Sequence, residues 1–333
     1  MKISVLMSFY NAEPFLAECL QSIIEQTETD WELIAVNNFA TDESEATLRA
    51  FAERDPRIRL FHNREEGIIQ ALRLALARSS GQLITRMDAD DIMPPRKFEL
   101  MKSALQKHGP GHLVTGLVRY FTHEGEVGGG FLRYADWLNR LTRHSVNFSE
   151  IYRECVIPSP AWMCYREDLL AAGAFKPAIY PEDYDLCFRF YRQGLQVVGL
   201  PELLHHWRDY PSRTSRTDER YADQLFFHLK TPWFLELDRD TDRPLVLWGA
   251  GAKGKALARH LQEAGAEFHW ITGNPRKQGK HIYAQLLQPE SLLEELTNPQ
   301  ILVAVTAPEA IKNIEEQMEG EGKMKGRDVF YFC

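Results

Sequence analysis

The chain predicts two α/β units, a parallel, doubly wound sheet over residues 1–225 and a smaller α/β unit over 244–333, with a linker at 226–243. Three observations carry this. Short apolar runs alternate with amphipathic helical stretches through the first ninety residues. A glycine-rich turn joins an apolar run to a helix within LVLWGAGAKGKALARHL (Leu245–Leu261). The segment DRDTDR (Asp238–Arg243) is charged and solvated between them. A length of 333 residues fits about two domains of roughly 150 each. With 44% hydrophobic and 26% charged residues, the chain can bury ordinary cores.

In order, Ile3–Ser8 reads as a buried strand, and Phe15, Leu16, Cys19, Leu20, Ile23 and Ile24 recur at helical spacing behind Pro14, a favoured first-turn residue. Leu33–Val36 is a second strand, followed by a helix through Phe51 capped by Thr41 or Asp42. Ile58–Phe61 and Leu83–Met87 are the third and fourth strands, flanking a helix over Ile68–Ala77. Such sheets bind ligands beyond the carboxyl ends of their strands. Ser8–Asn11, Asn37–Asn38 and Asp88–Asp91 therefore converge on one crevice. EGEVGGG (Glu124–Gly130) reads as a flexible loop. In the second unit Phe268–Thr272, Ile301–Val305 and Val329–Phe332 read as strands and Glu309–Met318 as a helix.

A net charge of −8 argues against a nucleic-acid binder. No apolar run reaches the roughly 18 residues of a membrane span, and MKISVLMSFYNAE lacks a signal peptide's features. The five cysteines form no C-x-x-C pair, as in a reduced cytoplasmic protein.

RMDADDIMPP (Arg86–Pro95) packs Asp88, Asp90 and Asp91 into four positions at a strand end. Their mutual repulsion, about 1 kcal/mol per pair in water, is tolerated when a cation or donors sit among them, or when the group is fully solvated. Hard carboxylate oxygens suit Mg2+ or Mn2+, which take the rest of their shell from water and phosphate. Asp91 is assigned to capping the helix that Pro94 and Pro95 open. In YPEDYDLCFRFYRQG (Tyr180–Gly194), Glu182 and Asp183 fall at a helix N-terminus, where a carboxylate is stabilised or serves as a general base. LLHHWRDYPSRTSR offers His205 and His206 as core residues or metal ligands. Its arginines, with Arg208, Arg213, Arg216 and Arg220 clustered, suit one phosphate group. GAGAKG (Gly249–Gly254) matches G-x-G-x-x-G in a strand–turn–helix context. The acidic residue expected at the end of the next strand is replaced by Thr272, Gly273 and Asn274, which argues for a Rossmann-like domain with a vestigial or different ligand rather than a redox NAD site.

With these motifs in order, the N-terminal two-thirds resembles the family 2 glycosyltransferases of GT-A fold. The matching segments are SFYNAEPFLAECLQSI, the turn NNFATD (Asn37–Asp42), RMDADD, PEDYDLCFR and HHWRDYPSRTSRTDERY. The last resembles a segment of a bacterial branch that carries a C-terminal Rossmann-like domain with a W-G-A-G turn. The resemblance implies an inverting, metal-dependent hexosyltransferase that uses a nucleotide-sugar donor, with UDP as the first choice of base. Asp183 would be the catalytic base with Glu182 supporting it. Phe9, Tyr10, Asn37, Asn38, Gly67 and Asp88 would bind the nucleotide, Arg208 and Arg213 the diphosphate, and Asp90 with His206 the Mn2+ or Mg2+. The family's aspartate on the base ring is replaced in the Asn37–Asn38 pair, whose side-chain oxygens and amides still offer an acceptor and a donor.

The implied acceptor is a hydroxyl of a glycan or lipid-linked glycan, which places a cytoplasmic protein at the inner face of the membrane, in peripheral association with it. FLRYADWLNRLTRH (Phe131–His144) carries aromatic and basic residues for such a surface, although an ordinary packed helix is the preferred reading. Two other classes stay open: a non-catalytic nucleotide- or sugar-binding module derived from a transferase, and a nucleotidyltransferase. The second needs a glycine-rich phosphate loop after the first strand, and SFYNAE has no glycine.

Overall fold

The computed structural model describes residues 1–123, 125–213, 216 and 226–333. It divides into two compact units, Met1–Asn147 with Val156–Tyr221, and Phe148–Cys155 with Ala222–Cys333.

The first unit opens as the periodicity predicts. Strand β1 (Ile3–Phe9) is followed by helix α1 (Glu13–Ile24), β2 (Trp31–Asn37), α2 (Ser44–Arg54), β3 (Ile58–His62), α3 (Ile68–Arg78) and β4 (Leu83–Arg86). α1 buries Leu16, Cys19, Leu20 and Ile23, the stripe its spacing marks. Asp42 serves two helix starts: one oxygen accepts from the Ser44 N–H at 3.1 Å and the other from the Glu13 N–H at 2.9 Å. The N-cap position is Glu43, which makes no side-chain cap bond, so neither Thr41 nor Asp42 is the cap itself; Asp42, one residue earlier, supplies the bond to the first turn.

The remaining elements are α4 (Lys97–His108), β5 (His112–Phe121), α5 (Gly129–Arg143), β6 (Trp162–Tyr165), α6 (Arg166–Ala171), α7 (Glu182–Arg192) and β7 (Gln196–Arg208). The sheet order is β3-β2-β1-β4-β6-β5-β7. β1 to β4 run parallel, but β6 lies antiparallel between β4 and β5, so the sheet is mixed rather than wholly parallel. β1 sits between β2 and β4, where successive connections leave in opposite directions, and this switch point fixes where a crevice opens. The glycines expected in a loop before residue 131 partly start α5, whose Gly129 and Gly130 are helical; Glu124 of that loop lies outside the described residues. α5 buries Ala135, Leu138 and Leu141, packing with Val118 and Tyr120 of β5, as a packed helix does.

Close backbone approach governs one position in β7. A Cβ on Gly199 would sit 1.7 Å from the Thr142 carbonyl oxygen. Gly199→Ala is expected to destabilise the protein by about 1–3 kcal/mol through forced displacement. Urea unfolding checks this; an unchanged midpoint would contradict the tight approach.

The second unit holds a six-stranded sheet of order β10-β11-β9-β8-β12-β13. Its strands are β8 (Leu245–Trp248), β9 (His269–Ile271), β10 (His281–Ile282), β11 (Gln285–Gln288), β12 (Gln300–Val303) and β13 (Val329–Tyr331). Helices cover Ala252–Glu263 and Pro308–Gly320. The linker expected at 226–243 is largely a helix, Phe227–Leu237, whose buried Phe227, Leu229 and Phe234 give it a core to pack on. The Phe148–Cys155 segment belongs with this unit. Tyr152 stacks on Phe332 at 5.3 Å between ring centroids and donates its hydroxyl to Asp238 Oδ2 at 2.5 Å. Among the described residues no helix is long and apolar enough to cross a membrane.

Candidate active site

At the carboxyl ends of β1 and β4 the first unit opens a cavity of about 630 Å3. β1 delivers Ser8 and Phe9, followed by Tyr10 and Asn11; the chain after β2 delivers Asn38; β4 and its exit deliver Arg86, Asp88 and Asp90. α7 starts at Glu182 directly after Pro181, so its first turn presents Glu182 and Asp183 to the same space. Gly67, at the start of α3, also lines it. Its φ of +140° lies where an L side chain is strained, and a Cβ would come within 2.3 Å of Gln70 Oε1.

The carboxyl groups here are crowded, and Asp88, Asp90 and Asp183 are half-buried in the cavity wall. Burial pushes Asp90 up to about 6, with the charge of Asp91 adding to the effect. Burial also raises Asp88. Asp183 is raised to about 7, first by burial and then by the charge of Glu182, while Arg86 pulls the other way. One oxygen of Asp183 accepts from the Tyr184 N–H at 2.8 Å. A carboxyl poised near neutrality in a cleft matches what a general base needs.

Arg86 was not singled out from the sequence, where an arginine closing an apolar strand reads as a boundary. It is 2% exposed, with Nη2 3.2 Å from Glu182 Oε1 and 3.9 Å from Asp88 Oδ1. Burial opposes its charge, yet Glu182, Asp88 and Asp183 together raise its pKa. One buried cation thus ties the β4 exit to the start of α7. Arg86→Met is expected to strand Glu182 and cost on the order of 3–5 kcal/mol, the scale of breaking one side of a buried pair. Chemical denaturation measures it, and a loss below 1 kcal/mol would remove Arg86 from this role.

Several expected site residues lie elsewhere. His206 and Arg208 do not line the cavity. Alternation along β7 turns His205 inward, its Nε2 2.9 Å from Asp91 Oδ2, while the His206 backbone bridges Ile92 and its ring meets Phe121 edge-on. Arg208 is consumed by structure: its backbone N–H donates to Asp91 Oδ1 at 2.8 Å, its Nε to the Asp90 carbonyl and its Nη2 to Glu18. Asp91 caps no helix; α4 begins at Lys97, and Asp91 is a buried acceptor that fastens β7 to the β4 exit. Asn37 holds the turn before α2, donating to Glu45 and accepting from the Ala40 N–H. Asn38 does line the cavity, but its oxygen already accepts from the Gly67 N–H and from Asn63, so its amide is the group turned to a ligand.

Arg213 lines the cavity as expected, with its guanidinium 5.0 Å from the Trp207 ring and 5.8 Å from Tyr120. Arg216 pairs with Asp209 at 2.8 Å, and Arg220 lies outside the described residues. Tyr210, which the sequence reading passed over, lines the wall and donates to Asp90 Oδ2 at 2.9 Å.

Among the described residues no three His, Cys, Asp or Glu side chains gather as a complete cation cage. The donor set at the β4 exit is instead two hard carboxylates, Asp88 and Asp90, each held above its usual pKa by burial. That suits a small divalent cation whose remaining ligands are water and phosphate.

The comparisons with known proteins agree with this architecture. The model for glycosyl transferase family 2 matches residues 4–171, half of the chain. The amylovoran biosynthesis glycosyltransferase AmsE of Erwinia amylovora is 30% identical over 208 residues, 60% of this chain and 74% of that protein. An uncharacterized glycosyltransferase of Haemophilus influenzae is 28% identical over 219 residues, 64% of this chain and 67% of that protein. TarS of S. aureus superimposes with a TM-score of 0.55 at 15% identity, covering 73% of this chain and only 41% of the TarS chain. The mannosyltransferase PcManGT of Pyrobaculum calidifontis gives 0.52 at 20% identity, covering 70% of this chain and 63% of that one. These two likenesses establish the fold as GT-A. The chain is a glycosyltransferase and belongs to family 2.

Proposed function

We propose that the protein transfers a sugar, with inversion, from a nucleoside-diphosphate sugar to a hydroxyl of a glycan or lipid-linked acceptor. The observation that carries this reading is the meeting, in one cavity, of Asp88 and Asp90 with Asp183, a carboxyl raised to about 7. Support comes from relatives of the same fold, since TarS has been solved with UDP and with UDP-GlcNAc, and PcManGT with GDP-mannose and Mn2+. UDP is the first choice of base here, and polysaccharide assembly is the proposed setting.

Phe9 and Tyr10 approach the nucleobase, and the Asn38 amide donates to one of its carbonyls. Asp88 accepts from the ribose hydroxyls. Asp90 and Asp88 would hold Mg2+ or Mn2+, which supplies positive charge against the departing diphosphate. Arg213, seated on Trp207 and Tyr120, adds a fixed cation on that side. Asp183 takes the proton of the acceptor hydroxyl as its oxygen bonds to the anomeric carbon. The bond from that carbon to the diphosphate oxygen breaks, and the electron pair leaves with the phosphate. One displacement with one base inverts the configuration. A lipid-linked acceptor would bring the protein to the inner membrane face, with exposed Leu132, Arg133 and Arg140 of α5 as the contacting surface.

Calorimetric titration of UDP, GDP and ADP with Mn2+ and then with EDTA, followed by a transfer assay with the matching sugar donors, tests this. Mn2+-dependent binding of one diphosphate together with turnover supports it. Binding without any turnover would replace it with a non-catalytic binding module.

A further inference from the structure

The second unit holds a cavity of its own, about 620 Å3, at the carboxyl ends of β8, β9 and β12. β8 has β9 on one side and β12 on the other, so this is again a switch point where α/β sheets take ligands. Its volume falls in the range of small-molecule and cofactor sites.

The three glycines of GAGAKG are not equivalent. Gly249 has a φ of +125° and lies against the Ala304 carbonyl. A Cβ on Gly254 would sit 2.0 Å from the Gly249 carbonyl oxygen, so Gly254 lets the helix pack on the strand. Gly251 answers to neither need. Its φ of −77° suits any residue, and no atom lies within 4 Å of where a Cβ would stand. Gly251 is exposed and lines the cavity, so no packing against the protein calls for glycine there. Bare backbone at this point of the cavity wall leaves room for a ligand against the turn.

A second observation completes the site. The carboxylate that a ribose requires is absent from the end of β9, where Thr272, Gly273 and Asn274 stand. The fold supplies one from elsewhere. Glu290, arriving just after β11, lines the cavity and accepts from Trp248 Nε1 at 2.6 Å. A Cβ on Gly273 would be 2.5 Å from Glu290 Oε1, so Gly273 is the clearing in which this carboxylate lies over the end of β9. Lys253 also lines the cavity, and Lys277 donates to the Ala250 carbonyl at 2.7 Å, which holds its charge at the turn. Glu290 is the only carboxylate among the lining residues, so this site has no pair to hold a divalent cation.

We propose that the second unit binds a ribonucleoside diphosphate group, its phosphates over Gly251 beside Lys253 and its ribose hydroxyls on Glu290, without a metal ion. The group could reach it as a free nucleotide, a nucleotide sugar or a dinucleotide. The site is separate from the cavity of the first unit and does not depend on what that cavity does.

The test uses the full chain carrying Asp88→Asn and Asp90→Asn, which silences the proposed donor cavity, titrated calorimetrically in EDTA with ADP, UDP, UDP-glucose and NAD. The expected result is one equivalent of metal-independent binding of at least one of these probes. Gly251→Val and Glu290→Gln should each weaken it by roughly tenfold or more, the scale of a lost charge-assisted hydrogen bond or a blocked phosphate. The 2′,3′-dideoxy form of the bound nucleotide should bind no better to the wild-type chain than to Glu290→Gln. Lys253→Glu, at a partly exposed position, gives the same loss and serves if Gly251→Val fails to fold. NAD alone binding identifies a dinucleotide, UDP-glucose in preference to UDP a nucleotide sugar, and UDP or ADP alone a free nucleotide. No binding of any probe at millimolar concentration, or full affinity in Gly251→Val and Lys253→Glu, overturns the proposal.

Discussion

Asp183→Asn is expected to lower kcat by about 10²–10⁴-fold, the usual contribution of a positioned base, while nucleotide-sugar affinity stays at the wild-type value. The asparagine keeps the shape and still accepts from the Tyr184 N–H, but it cannot take a proton. In wild type the base works as a carboxylate, and its pKa is raised to about 7, so kcat/KM should rise with pH through that value and level off above it. The stability of the protein moves the other way. A carboxyl with a folded pKa above its unfolded value binds its proton more tightly in the folded state, so stability falls as pH rises from about 4 to about 7. Asp183→Asn removes that loss, and its thermal midpoint should exceed the wild type's by more at pH 8 than at pH 5. Single-turnover assays and thermal scans at the two pH values check both halves. A variant with wild-type kcat would move the base elsewhere in the cavity.

Asp90→Asn is expected to act at binding. Donor affinity in Mn2+ should fall by about 10²-fold or more, above the loss typical of residues that only orient a ligand. In EDTA the variant and wild type should bind nucleotide equally, since only metal-independent binding is left. Tyr210→Phe is the companion: it removes the hydroxyl 2.9 Å from Asp90 Oδ2 but leaves the carboxylate, so its loss should be smaller. Equal donor affinity and equal Mn2+ stimulation in Asp90→Asn and wild type would sink the assignment.

The first four strands and three helices were legible because the helices bury one face at a regular spacing and the strands are short apolar runs, three of them buried almost throughout. Their order pointed Ser8–Asn11, Asn37–Asn38 and Asp88–Asp91 at one cleft, whereas Asp183 was assigned to it only through the family resemblance. β6 was not. WMCY is four residues long, and nothing local marks it as antiparallel to both neighbours. β7 was not legible as a strand either, since Gly199 and Pro201 interrupt its pattern. Parity there decided the histidines: one step along a strand reverses the face, so His205 reaches Asp91 while His206 turns away. Arg208 was expected at a diphosphate because its charge is visible in sequence; that Asp90, Asp91 and Glu18 claim its donors is not. Arg86 and Glu290 were missed for a related reason, since each acts on partners far along the chain. The linker was read from its charged end, and the helix Phe227–Leu237 before it draws its stability from tertiary burial.

The placement of Phe148–Cys155 sets an order in time. These residues are synthesised in the middle of the chain, yet Tyr152 finds its stacking partner only when Phe332 has been made. Until then a side chain that ends 2% exposed has only part of its cover, from Phe234, and the nascent chain carries a partly uncovered aromatic loop. Removal of residues 226–333 takes Phe234, Phe330 and Phe332 away from Tyr152, and is expected to yield aggregation-prone protein unless residues 148–155 are replaced as well.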